Sequence, residues 1–300
     1  MTARAMPWRG FAHLLIVYVV WGSTYLAMRE TALGGFPPLK MAASRVCIAS
    51  VILLILTKAI GQRIKLNWRE TAILAASGIL LWLGGNGMVA LAEKRAASGF
   101  TALIIGTTPI WPAIFESVLD RRRPTWRMIA SLLIGFCGLA VLVSPLLQRD
   151  AHGDLVSALI LVFASFSWAC GTTLQQRCRV DVPPLASSAW QHIFGGLGLA
   201  VVAFVSGEPV PNPTTTAWMA WGYLVVFGSL ISFTSFIIVV RMLPLPVVMT
   251  YAYVNPVTAV ILGRIFLAEP VTKTMMLGMA LIIAGVAGIF RERFHRRGAI

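Results

Sequence analysis

The chain has 300 residues, 58% of them hydrophobic and 12% charged, with a formal net charge of +14 and a mean hydropathy of +0.80. Soluble domains are about half apolar and about a quarter charged, so a chain with this composition lacks the polar surface of a water-soluble globule. Its apolar residues gather in runs of about 20, enough at ~1.5 Å per residue to cross a bilayer, without the short alternating segments of a membrane β-barrel.

Ten helical spans are predicted, over 12–32, 39–57, 71–92, 100–119, 127–146, 155–174, 185–206, 218–240, 248–267 and 274–290. The connections are short and hold turn formers, as in Gly34-Gly35-Phe36-Pro37-Pro38. None has room for a soluble catalytic domain. Arg4 and Arg9 precede the first apolar run, which is too long for a signal-peptide core and lacks a clean cleavage site, so it is read as an uncleaved span. Arg4, Arg9, Lys58, Arg63, Arg121, Arg122, Arg123, Arg177, Arg179, Arg296 and Arg297 fall on the side of the N-terminus. Arg29, Lys40, Lys94, Arg95, Arg149, Arg264 and Lys273 fall on the other. That positive-inside bias predicts both termini in the cytoplasm of an inner (plasma) membrane protein, and it makes the basic charge a topology signal rather than a nucleic-acid one.

In the first span, Trp21, Tyr25 and Met28 share one helix face. Ser23 and Thr24 have hydroxyls able to bond back to carbonyls one turn earlier, and Gly22 permits close helix contact. Arg29 and Glu30 read as interfacial. Arg45 lies early in the second span, at a depth that suits either a bound carboxylate or snorkelling to the surface. Trp82 and Asn86 share a face of the third span beside Gly84, Gly85 and Gly87. Glycines there, and at 135, 138, 195, 198, 285 and 288, read as helix-packing positions.

The fourth span contains Pro109 and Pro112 around Trp111. Each proline frees the carbonyl four residues earlier, Ile105 and Thr108, as Pro256 frees Ala252 in the ninth. These spans are expected to be kinked walls of a cavity, with carbonyls able to accept from a substrate ammonium group; the alternative is a kink that only shapes the bundle. Glu116 is expected to pair with the Arg121–Arg123 run. Trp168 in the sixth span lies mid-membrane with an N–H that wants a partner. His192 in the seventh reads either as a proton-sensing group or as a histidine satisfied by a neighbouring helix. Tyr251 and Asn255 sit one turn apart in the ninth span. Cys47, Cys137, Cys170 and Cys178 suit neither a disulfide framework nor a metal site. No nucleophile–base pair, metal cluster or ATP-binding P-loop is visible, so neither an enzyme nor a cofactor is expected.

A shift of 147 residues (168 minus 21) lays Trp21 on Trp168, Arg45 on His192, Pro109 on Pro256 and Gly138 on Gly285. Five spans per repeat, an odd number, invert the second half. The fold class is therefore all-α: a polytopic membrane protein of ten transmembrane helices in two five-helix inverted-topology repeats, 1–147 and 148–300. In secondary transporters built this way, the substrate site lies near the midplane between the halves.

"VWGSTYLAMRE", "NGMVALAEKRAASGFTALIIGTTPIW" and "YAYVNPVTAVILGRIFLAEP" together resemble the drug/metabolite transporter superfamily, in its ten-helix EamA-type branch. The resemblance covers essentially the whole chain and implies movement of small metabolites, often amino acids outward from bacteria. The family often carries a Glu after both the fourth and ninth spans. Glu269 fits the ninth, but Arg122 stands at the place of the other.

The expected activity is export of a small amphipathic metabolite by alternating access, with neutral or aromatic amino acids preferred. The expected binding set is Trp21, Tyr25, Arg45, Trp82, Asn86, Trp111, Trp168, His192, Tyr251 and Asn255. Drug or other metabolite efflux is the alternative, followed by a non-transporting receptor. A monomer suffices for the path, and a dimer is compatible with it.

Overall fold

The computed structural model describes residues 8–149 and 153–295, and Arg4, Arg296 and Arg297 lie outside them. Ten helices are long and apolar enough to span a membrane: α1 Trp8–Leu33, α2 Pro38–Ala59, α3 Trp68–Ala92, α4 Ser98–Leu119, α5 Trp126–Gln148, α6 Leu155–Arg177, α7 Pro184–Val205, α8 Thr215–Met242, α9 Leu245–Phe266 and α10 Lys273–Phe294. The all-helical fold and the ten spans are as the apolar runs predict. Their ends reach one to four residues further than those runs in most cases, because the polar and aromatic residues that flank the runs continue the helices.

Local chemistry sets those ends. Asn67 accepts from the Glu70 amide while Glu70 accepts from the Asn67 amide, a reciprocal capping box that opens α3. Asp154 and Thr214 cap α6 and α8 through the amides of Ser157 and Ala217. Pro38 and Pro184 begin α2 and α7, where a missing N–H costs nothing. Two exposed amides at the start of α2 are taken by Glu208 from the α7–α8 loop, at 3.2 Å (Leu39) and 2.9 Å (Lys40), and Lys94 pairs with the same carboxylate at 3.0 Å.

Packing follows the repeat. The fifth helices of the two halves, α5 and α10, lie against each other, and so do the second helices, α2 and α7. In bilayers helices associate by close contact rather than by hydrophobic drive. A β-carbon on Gly285 would stand 2.5 Å from the Gly135 nitrogen, so these backbones touch directly. Gly22 lets α1 press on α9, where a β-carbon would meet Thr258 Cβ at 2.4 Å. The exchange between halves is mutual: α1 packs on α8 and α9, and α6 on α3 and α4.

Two irregularities recur in both halves. α3 is π-helical over Ile79–Gly87 and α8 over Leu224–Ser232. π-helical turns are rare and cluster at functional sites. Two spans are also broken. α4 divides into Ser98–Ile105 and Ile110–Leu119, the second part beginning after Pro109. α9 divides into Leu245–Val248 and Tyr251–Leu267, and its helix runs unbroken through Pro256. The interruption of α9 thus lies before Tyr251 rather than at the proline, because Pro256 falls in the second turn of a new helix, where one missing amide is tolerated.

Candidate functional site

Four rings from four helices meet between the halves: Trp21 of α1, Trp168 of α6, Phe236 of α8 and Tyr251 of α9. Trp21 touches Trp168 at 5.8 Å between centroids, Phe236 at 5.2 Å and Tyr251 at 5.0 Å. Phe236 in turn touches Trp168 at 5.7 Å and Tyr251 at 5.9 Å. Most of these contacts are tilted or edge-to-face, the orientations aromatic quadrupoles favour.

The two tryptophans are held by the π-helical stretches. Trp21 donates its N–H to the Gly228 carbonyl at 3.1 Å, inside the stretch of α8. Trp168 lies across Gly85 in the stretch of α3, where a β-carbon would come within 2.8 Å of its ring. Its N–H is buried without a partner; the Tyr251 hydroxyl is close enough to interact with it but forms no hydrogen bond of normal geometry. Tyr25, one turn beyond Trp21, is 44% exposed. It lies within electrostatic reach of Tyr251 and of Glu93, which follows α3. Glu93 is exposed as a residue, but the protein around its carboxyl strips water from it. That enclosure pushes its carboxyl up to about 7.

A second cluster adjoins the first. Trp82 stacks near Phe233 at 5.1 Å and His192 at 4.7 Å, and the Arg45 guanidinium lies 5.4 Å from the Trp82 ring centre. Phe233 links this group to Phe236 at 5.9 Å. Arg45 and His192, matched by the 147-residue shift, therefore meet on one tryptophan. His192 is fully buried, with Nδ1 donating to the Ser188 carbonyl at 2.7 Å. Asn255 is buried with an unpartnered Oδ1. Asn86 is half-buried, and its side chain makes no hydrogen bond among the described residues.

Several expectations are corrected. Trp111 stands apart from both clusters: it donates to Ser165 Oγ at 3.1 Å and packs with Phe115 and Phe166. The Ile105 carbonyl freed by Pro109 is already taken, by the Thr108 amide at 2.9 Å and the Thr108 hydroxyl at 2.5 Å, so it is not an open acceptor. Ser23 is likewise committed, to the Val20 carbonyl and the Tyr223 hydroxyl. Glu116 pairs with Arg293 of α10 rather than with the arginine run after it, because its helix turns it toward the other half. Phe236 and Glu93 were not singled out from the sequence. Phe236 sits unmarked in the apolar run "SFIIVV", and Glu93 reads as the start of a loop.

At the end where both described termini lie, a crevice of about 730 Å³ enters between the halves. Its lining includes Ala113, Thr173, Gln176, Arg241, Leu245 and Arg293. Thr173 of that lining lies five residues beyond Trp168 on the same helix. Asp120 of the α4 end pairs with Arg177 of α6 at 2.7 Å beside it. Arg29 and Glu269 join α1 and α9 at the opposite end, at 3.5 Å.

Known proteins are similar to this chain. "Uncharacterized inner membrane transporter YedA" of Escherichia coli K12 is 31% identical over 280 residues, covering 92% of this chain and 89% of that protein. A probable terminal-alkyne amino-acid exporter of Streptantibioticus cattleyicolor is 25% identical over 286 residues, covering 95% and 94%. A solved crystal structure superposes with a TM-score of 0.82 at 19% identity, over 95% of this chain and 98% of its own, which shows the shared fold. The EamA-like transporter family matches twice, over residues 8–144 and 155–291. The two matches together take in nearly all of both sets of five helices, and the chain is a transporter of the EamA-like family.

Proposed function

We propose that the chain is a secondary transporter of the inner (plasma) membrane that exports small amphipathic metabolites by alternating access, neutral or aromatic amino acids foremost. The observation that carries this reading is the ring cluster of Trp21, Trp168, Phe236 and Tyr251. It lies between the halves, it draws on both, and it holds one buried indole N–H that no hydrogen bond of normal geometry engages. Rings supply apolar contact without fixing a charge, which suits a solute with an apolar side chain. Tyr25 and Asn86 add polar groups at its edge, and Asn255 adds an unpaired acceptor. The paired ends Asp120–Arg177 and Arg29–Glu269 supply contacts that can open in turn. The excess of basic residues at the end of the bundle where the described termini lie supports a cytoplasmic position for both. The units are taken as 1–147 and 148–300, and one chain holds a complete path.

Counterflow in proteoliposomes tests this reading. Labelled amino acids are added outside against an unlabelled excess inside, so no gradient coupling is needed. Accumulation of a neutral or aromatic amino acid supports it. Accumulation of a cationic drug instead, with no amino acid moved, moves the protein to drug efflux. Ligand binding without any flux marks a receptor.

A further inference from the structure

The substrate class follows from a buried charge, on the reading that this path carries a solute. Arg45 is 6% exposed, in the second turn of α2. Its Nε is sealed with no hydrogen-bond partner, and no ion pair or hydrogen bond holds its guanidinium among the described residues. Glu208, the acid at that end of α2, is already engaged by the amides of Leu39 and Lys40 and by Lys94. The side chain does not reach out to the surface; it lies over Trp82.

A buried cation without a counter-charge is costly in a low-dielectric interior, and a cation–π contact offsets only a small part of that cost. The neighbours deepen the need. Trp82 Nε1 is a second buried donor without a partner. With Nδ1 of His192 donating to Ser188, its Nε2 is left as an unpartnered lone pair. Two idle donors and one idle acceptor thus belong to the three side chains gathered at Trp82. It is joined to the ring cluster through Phe233.

We propose that Arg45, with the Trp82 N–H, is the carboxylate subsite of the transport path, so that the solute is a small apolar acid or amino acid rather than an amine or a neutral molecule. The planar guanidinium fork matches a carboxylate with two parallel hydrogen bonds. The solute's apolar part then lies along Phe233 toward Phe236 and Trp168.

Binding to the purified full-length protein tests this without requiring flux. Phenylacetate and phenylacetamide are titrated, read by tryptophan fluorescence. Wild type is expected to bind the acid about tenfold or more tightly than the amide, the least that a buried charge-assisted pair provides. Arg45→Gln is expected to bring the two to near parity, and Trp82→Phe, which keeps the ring, to narrow the preference. Because the free protein holds an uncompensated charge, Arg45→Gln without ligand should melt no lower than wild type. Equal binding of acid and amide by wild type, no binding of the acid, or a preference that survives Arg45→Gln would overturn the subsite. The wild-type comparison stands even if the variant fails to fold. Acid-selective binding without counterflow would keep the subsite and sink the exporter reading. Counterflow that treats acids and amides alike would keep the exporter and sink the subsite.

Discussion

Trp21 and Trp168 meet edge to face, with planes at 74°, yet only Trp21 has its N–H satisfied. The matched residues therefore differ: the Trp21 indole is tied to the scaffold, while the Trp168 N–H lies near the Tyr251 hydroxyl without a hydrogen bond of normal geometry. Trp168→Ala is expected to weaken solute binding roughly tenfold, the scale of a lost ring contact and hydrogen bond, and to lower the melting temperature too, because the ring packs on Trp21 and Phe236. Trp21→Phe should lower stability by about 1 kcal/mol through the lost bond to Gly228. Binding titrations and thermal melts on both variants check this, and unaltered binding by Trp168→Ala would remove that ring from the path.

Glu93 gives the folded protein a pH dependence of definite sign. Its carboxyl is raised from an ordinary 4.5 to about 7, so the folded state holds a proton that the unfolded chain has released. Stability from this group is present at low pH and falls as pH rises from about 4.5 to about 7, then levels off. Glu93→Gln should flatten that part of a plot of melting temperature against pH. A slope unchanged by the substitution would assign it to other groups.

The pair Asp120–Arg177 is exposed on both sides, at 40% and 38% for the side chains. Such pairs add less than about 1 kcal/mol to folding. The Arg177 hydrogen bond holds the Asp120 carboxyl below its usual range, so the pair persists until strongly acid pH. Asp120→Asn is expected to leave the melting temperature nearly unchanged while speeding alkylation of the adjacent Cys178 several-fold. Equal alkylation rates would show that the pair does not hold that end shut.

The α5–α10 contact has no room for a side chain. Gly285→Leu is expected to cost about 3 kcal/mol, the upper range of overpacking, because its first carbon meets the Gly135 backbone. Gly222, with nothing within 4 Å of an added carbon, supplies the control: Gly222→Ala should melt close to wild type.

The spans were legible because each is a long apolar run whose length matches a bilayer, and the inverted halves because tryptophan and proline are uncommon enough to show a shift. Trp21 and Trp168 were legible for the same reason, and Tyr251 as the ring one turn before Asn255. Contacts between distant helices were not. Nothing local directs Glu116 to Arg293 rather than to the arginines beside it, or marks Phe236 among its apolar neighbours. The partner of Trp111, Ser165, comes from the other half. The break in α9 fell before Tyr251 because a proline announces a missing amide, not where the helix begins. The π-helical stretches have the same apolar composition as ordinary helix, so composition conceals them.

Those stretches change what a single inserted or deleted residue does to this chain. In the loops, one residue more or less lengthens a connection and nothing else. Within Ile79–Gly87, whose hydrogen bonds reach one residue further than an α-helix allows, deleting one residue would let the backbone close into α-helix. The side chains beyond it, through Ala92 to Glu93, would then rotate about the axis relative to those before it. The same loss within Leu224–Ser232 would swing Phe233 and Phe236 out of their clusters. The reading frame of the site is thus kept by chain length inside two spans, where a length change of one residue is as disruptive as a substitution at the rings themselves.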